Sequence, residues 1–268
     1  MPTKARIPAP DARAVVVSSL GRFARNALAC GEARVIAVFE RSVYVGTPGG
    51  LACIGAVGNG PLNAHCEEGA QELRRGVAIG DRLIVEVACA THWRPRPAPA
   101  PNADHLRQGL KRLRENARRR FPDEGFGFVI DASRPRPAII EAFGRWLADP
   151  IRTPEAAAGL VGLGPGLTPS GDDLIGGALC ALHALGRVEI ANRLSDWALP
   201  LAQANTSRIS RSHLECAVQG ECGEAVGEAI TALMLGEAVD LDRIHAIGHT
   251  SGWDALAGVS LALSAAAS

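Results

Sequence analysis

The residues with the most chemical potential lie in one stretch, Leu163-Gly164-Pro165-Gly166-Leu167-Thr168-Pro169-Ser170-Gly171-Asp172-Asp173. Gly164, Gly166 and Gly171 leave the backbone bare, and the stretch runs into an apolar helical segment, Leu174 to Leu185. Unpaired N–H groups at a helix start, with the helix dipole behind them, favour negative charge. Thr168 and Ser170 add hydroxyls. Asp172 and Asp173 are carboxylates able to hold a divalent cation such as Mg²⁺ against a phosphate. The same residues admit a purely conformational role. Ser170 and Asp173 have the spacing of a capping box, in which each side chain satisfies a backbone N–H of the first turn. Pro165 and Pro169 stiffen the approach. A cap has no use for Asp172, which makes it the acid to consider for metal binding or catalysis.

The motif has an echo. Ser170-Gly171-Asp172-Asp173-Leu174-Ile175-Gly176-Gly177 is matched by Ser251-Gly252-Trp253-Asp254-Ala255-Leu256-Ala257-Gly258. Both copies carry a threonine upstream, Thr168 and Thr250, and both begin a helix with the same Ser-x-x-Asp box. Gly177 and Gly258 remove side chains where two helices touch, so the pattern predicts paired helices with neighbouring N-termini. Asp173 and Asp254 are equivalent caps, and Asp172 falls opposite Trp253. His249, beside Thr250 and Ser251, is a candidate acid or donor. A second polar concentration runs from Asn205 to Leu214. Thr206 is a natural N-cap there, Thr206 and Ser210 share a helix face, and Arg208 or Arg211 has the fork geometry that clamps a carboxylate or phosphate. A capped surface helix is the plainer account of that segment.

Several classes are excluded. No Gly-Lys-Ser/Thr follows the glycines, so the loop is not a Walker A motif. Lys4 and Lys111 are the chain's only lysines, which argues against Schiff-base chemistry. A formal net charge of +0 gives no reason to invoke nucleic acid or an anionic membrane. The seven cysteines are scattered without a C-x-x-C, as expected of free thiols. No signal-peptide core follows Lys4 and Arg6, and no run has the length of a membrane span, so a cytoplasmic protein is the expectation.

The elements that must position these residues change character along the chain. Residues 11–30 read as an amphipathic helix. Arg34–Glu40, Ser42–Gly46, Leu51–Val57 and Asp81–Cys89 read as strands joined by tight turns, and Glu67–Arg75 as a short helix. Arg94–Pro101 is a proline-rich connector. His105–Arg120 is a basic helix with Arg114, Arg118, Arg119 and Arg120 on its polar side, and Phe126–Ile130 a possible returning strand. Beyond Pro137 the pattern is helical: Ile139–Leu147, Pro154–Val161, Leu174–Leu185, Glu189–Leu199 stopping before Pro200, Thr206–Val218, Glu224–Leu235, Leu241–Ile247 and Trp253–Ala267. Segregated strands and helices predict an α+β protein. Its N-terminal half is an antiparallel β-sheet or small barrel over 1–93. Residues 94–136 connect it to an all-helical C-terminal half over 137–268.

Three segments carry a family resemblance. They are Gly162-x-Gly164-x-Gly166-Leu167-Thr168-Pro169-Ser170-Gly171-Asp172-Asp173, then Thr206-x-x-x-Ser210-x-x-x-Leu214-x-x-Ala217-x-x-Gly220, and Gly248-His249-Thr250-Ser251-Gly252-x-Asp254-x-Leu256-x-Gly258. Together they resemble a bacterial family, long listed as a domain of unknown function. It includes the third subunit of the oxamate carbamoyltransferase of allantoin degradation. The resemblance implies a chain that works beside two other subunits, one similar to succinyl-CoA synthetase, in moving a carbamoyl group between oxamate and phosphate. Its expected ligand is then a small anion such as carbamoyl phosphate, phosphate or an oxamate-like acid. The residues themselves leave two other readings open: a stand-alone Mg²⁺-dependent phosphoryl enzyme or hydrolase, and a non-catalytic scaffold subunit.

Overall fold

The computed structural model describes residues 13–56, 58–66, 70–118, 120–151 and 153–267. The start of the helix expected over 11–30, Lys4, Arg6, Val57, Glu67 and Arg119 lie outside the described residues. The chain divides into two compact units, Met1–Arg94 and Pro95–Ser268.

The first unit holds strands β1 (Arg13–Leu20), β2 (Glu32–Val38), β3 (Ser42–Thr47), β4 (Gly50–Gly55), β5 (Asn63–Cys66), β6 (Arg82–Glu86) and β7 (Thr91–His92), with helices α1 (Arg22–Leu28) and α2 (Ala70–Arg75). The strand order is β5-β4-β3-β2-β6-β1-β7, and β5 also pairs with β1. That extra pairing closes the first six strands into a small barrel, the arrangement that removes exposed strand edges. Its pairing is mixed: β1–β6, β1–β7 and β4–β5 are parallel and the remaining pairs antiparallel. Val15, Val17, Val35, Val43, Val45, Ile54, Leu83 and Val85 fill the core.

The helix expected over 11–30 is a strand followed by a shorter helix. Val15 and Val17 are buried while Val16 between them is 40% exposed, a period of two that stiff β-branched side chains favour. The switch falls at Gly21, where a Cβ would lie 2.1 Å from the Gly60 carbonyl oxygen. Only then do Ala24, Ala27 and Leu28 line a helical face.

The second unit contains α3 (Ala103–Ala117), α4 (Ala138–Ala148), α5 (Ser170–Ala184), α6 (Val188–Asn205), α7 (Arg208–Ala217), α8 (Glu224–Met234), α9 (Leu241–His245) and α10 (Ser251–Ala267). Helices α5 and α10 pack along one another at its centre. Helices α3, α4, α8 and α9 lie against α10, and α6 and α7 against α5. Both central helices bury residues on nearly every side, as a helix surrounded by protein must. No helix among the described residues is long and apolar enough to cross a membrane, and all seven cysteines are free thiols.

Four local expectations are corrected. Phe126–Ile130 is no strand: Gly127–Ile130 forms a 3-10 turn, entered through Gly125 at φ +74°, and the Phe126 N–H goes to the Asp254 carboxylate. The helix expected over 154–161 is likewise a 3-10 turn, Glu155–Leu160. Helix α6 continues through Pro200 instead of stopping before it. Pro200 and Asp196, whose carbonyl loses its partner, are both exposed, so water replaces the missing hydrogen bond. Finally, the cap of α7 is Ser207, whose Oγ accepts from the Ser210 N–H at 3.0 Å, while Thr206 is turned to another use.

Candidate functional site

The two echoed motifs begin α5 and α10, and these helices pair as the glycines predict. The contact is reciprocal. A Cβ on Gly177 would lie 2.0 Å from the Ala255 carbonyl oxygen, and one on Gly258 would lie 1.8 Å from that of Leu174. Only bare backbone allows so close an approach. The two helix starts are tied by Thr168 Oγ1 and Ser251 Oγ, 3.1 Å apart.

The likeness extends upstream of the matched residues. Gly171 sits against the Leu160 carbonyl and the Leu163 side chain, and Gly252 sits the same way against Ile244 and Ile247. The Gly171 N–H donates to Leu163 O at 2.9 Å and the Gly252 N–H to Ile247 O at 3.1 Å. The two turns differ in one respect: the first is longer by three residues, Pro165-Gly166-Leu167. This excess is the glycine loop. Gly164 and Gly166 take φ of +119° and +88°, Gly164 to Leu167 are exposed, and a Cβ on Gly166 would meet nothing within 4 Å. Among the described residues, nothing accepts from the N–H groups of Gly164, Gly166, Leu167, Thr168 or Ser170. The Gly171 N–H, by contrast, is occupied.

Asp172 ties this loop to its surroundings. It is 2% exposed. Its Oδ1 accepts the Gly162 N–H at 2.8 Å, and its Oδ2 accepts the hydroxyls of Thr206 and Ser210, the latter at 2.6 Å. Three donors therefore converge on one carboxylate, joining the loop entrance, the end of α6 and the first turn of α7 to the start of α5. Both of its oxygens are engaged, so in this structure Asp172 holds the loop, α6 and α7 together. Among the described residues no group of three or more His, Cys, Asp or Glu is arranged to hold a metal ion.

Ser170 and Asp173 do not form the reciprocal capping box. Pro169 takes the N-cap position and no side chain caps the helix. The Pro169 carbonyl receives the N–H groups of Asp172 and Asp173. Burial drives the Asp173 carboxyl well above the usual carboxylate range against a hydrogen bond from Ser251, and the neighbouring Asp254 and Asp172 add to the rise. Asp254 is raised by burial too, against hydrogen bonds from the Phe126 N–H, Ser170 and Thr250. The Phe126 contact depends on Gly125, where a Cβ would lie 2.5 Å from Asp254 Oδ1. This Gly125–Phe126 arm was missed in the sequence, and only the positive-φ glycine beside it hints at the role.

The cations divide. Arg208 is exposed in the first turn of α7 and has no hydrogen-bond or ion-pair partner among the described residues. The residue before it, Ser207, donates its hydroxyl to the Leu167 carbonyl at 2.5 Å, so Arg208 stands next to the loop. Arg211 is paired with Glu215, Nε to Oε1 3.5 Å. His249 faces water, paired with Glu124 at 3.0 Å with side chains 77% and 72% exposed. The structure therefore gathers Gly164, Gly166, Thr168, Ser170, Gly171, Asp172, Asp173, Thr206, Ser210, Thr250 and Ser251 around the two helix starts and places Arg208 at the margin. It leaves Arg211 half-buried against Glu215, and His249 in a surface ion pair.

Residues 160–263 match the model of the family described as oxamate carbamoyltransferase subunit AllH, which is the family the three sequence segments resemble. The match lies wholly within the helical unit and opens at Leu160, the residue on which Gly171 packs. No solved structure matches the chain.

Proposed function

We propose that the chain is a subunit of an oxamate carbamoyltransferase-like complex, and that its glycine loop receives the anionic end of a small substrate. Carbamoyl phosphate, phosphate and oxamate-like acids are the class. One observation carries the reading: within a matched pair of helix starts, only the first has a three-residue excess, and that excess is exposed and lined with unbonded N–H groups. Helix packing alone does not need it, since α10 begins on the same geometry without it. Oriented backbone N–H groups at a helix start are anion ligands, and the unpaired guanidinium of Arg208 supplies a full charge nearby. In a carbamoyl transfer such donors would stabilise charge developing on oxygen. The remaining chemistry would come from the partner subunits: the Ser170 hydroxyl is held by the Asp254 carboxyl, which burial raises, and the buried Cys53 thiol is pushed up to about 11 by its apolar surroundings.

A scaffold reading has one observation in its favour, the engagement of Asp172 in three hydrogen bonds. A deletion separates the two. Removing Pro165-Gly166-Leu167 shortens the first turn to the length of the second. The protein should still fold, and thermal shifts with oxamate, phosphate and carbamoyl phosphate should disappear. At a ligand concentration 100 times the dissociation constant the wild-type shift corresponds to about 2.7 kcal/mol. An unchanged shift in the deletion variant would refute the loop as the anion site. No shift in the wild type would assign ligand binding to the partner subunits.

A further inference from the structure

Two aspartate oxygens are buried without a hydrogen-bond partner among the described residues, Asp173 Oδ2 and Asp254 Oδ2. They occupy equivalent places in the echoed motifs, at the starts of the two helices that pack most intimately. Asp254 is fully buried. Its other oxygen accepts the Phe126 N–H, and the Gly125 backbone closes over both. A bare ionised oxygen in such a place is costly, and the economical remedy is a proton. Where two carboxyls interact, one proton can serve both, and the pair titrates as a unit.

The surrounding charges do not supply another remedy. On α5 the neighbour is Asp172, a further acid. From α9, His245 accepts the Trp253 indole N–H at 3.2 Å. Glu124 and His249 pair with each other in solvent, and on α7 Arg211 is turned to Glu215. Three full negative charges at the two helix starts would cancel the dipoles that make them attractive to an anion. Each proton held there removes one of those charges.

We propose that Asp173 and Asp254 form a proton-holding carboxyl pair between the starts of α5 and α10, and that an anion binding at the glycine loop is accompanied by uptake of a proton into this pair. The second half rests on the anion reading above; the first half does not. Burial raises both carboxyls, Asp173 more strongly, in agreement with the geometry.

Infrared spectroscopy on the full chain tests the pair without any ligand. At a pH where free aspartate is ionised, a protonated carboxylic acid band should persist in the wild type, be perturbed in Asp173→Asn and in Asp254→Asn, and be lost when both are replaced. The wild-type measurement stands even if a variant fails to fold, and absence of the band overturns the pair. Calorimetry with oxamate and with inorganic phosphate, in buffers of different ionisation enthalpy, tests the linkage. Binding should take up about one proton, so affinity should fall about tenfold per pH unit through the titration. Asp173→Asn should bind with little uptake. Binding by the wild type without uptake overturns the linkage and leaves the anion site intact. Failure of both anions to bind, with the band present, overturns the linkage and the anion reading together.

Discussion

At the scale of single residues, Asp172 is a buried carboxylate on which three donors converge. Its loss strands a backbone N–H and two hydroxyls in a buried setting. Asp172→Ala should destabilise the unit by about 3 kcal/mol, since bonds to a carboxylate count for more than neutral ones and orphaned partners add their own penalty. Asp172→Asn, which keeps an acceptor, should cost less; urea denaturation of both variants checks the order. Asp173 gives a prediction of opposite sign. Its folded carboxyl is raised above the unfolded value, so between the two values the native state holds a proton that the unfolded chain releases. Its contribution is complete below the unfolded value, near pH 4, and is lost as pH rises through the folded one. Asp173→Asn removes that dependence. The variant should gain stability relative to wild type as pH rises through this window, and parallel stability curves would rule the idea out.

Among elements, the α5–α10 pair sets the geometry, and its glycines are unequal. Gly177→Ala would drive a methyl to 2.0 Å from the Ala255 carbonyl oxygen and should cost about 3 kcal/mol, at the upper end of overpacking effects. Gly176 is its neighbour on the same helix, yet a Cβ there meets nothing closer than 3.8 Å. Gly176→Ala should instead stabilise by about 0.5–1 kcal/mol through helix propensity. Thermal unfolding of the two single variants decides whether close approach, not glycine content, is what the pair requires. This pairing was legible in the sequence because the Ser-Gly-x-Asp and terminal Gly positions repeat. The sheet was legible in part: β2, β3, β4 and β6 show as valine-rich strands with tight turns, while β1 and β5, whose pairing closes the barrel, do not. What could not be read was anything settled by partners distant in sequence. Asp172 looked like the free acid because Gly162, Thr206 and Ser210 meet it only after folding. Asp254 looked like a simple cap because Phe126 reaches it across the unit. Pro200 looked like a stop because the sequence does not say which face of α6 meets water.

For the whole molecule, the question is where the helical unit begins. The sequence pattern placed an all-helical half from residue 137, with a connector before it, and the family match opens later still, at residue 160. The packing argues for a boundary near Pro95. Helix α3 lies inside the 94–136 stretch, yet Leu106, Leu110, Leu113 and Ala117 are buried in the same core as α5 and α10. A Cβ on Gly109 would lie 2.4 Å from the Leu233 carbonyl oxygen, so α3 and α8 touch backbone to backbone. Arg107 and Arg114 bond to Ala267 O and Ser264 Oγ of α10 at 3.1 and 3.2 Å. Each buried leucine is worth about 1.5–3 kcal/mol, so the three in α3 amount to roughly the total stability of a typical domain, about 5–15 kcal/mol. A fragment of residues 95–268 should therefore unfold in one cooperative urea transition. A fragment of residues 137–268 should keep helical circular dichroism but bind a hydrophobic dye and unfold without a sharp midpoint. Cooperative unfolding of the shorter fragment would show that α3 is an accessory, and would return the boundary to where the sequence pattern first put it.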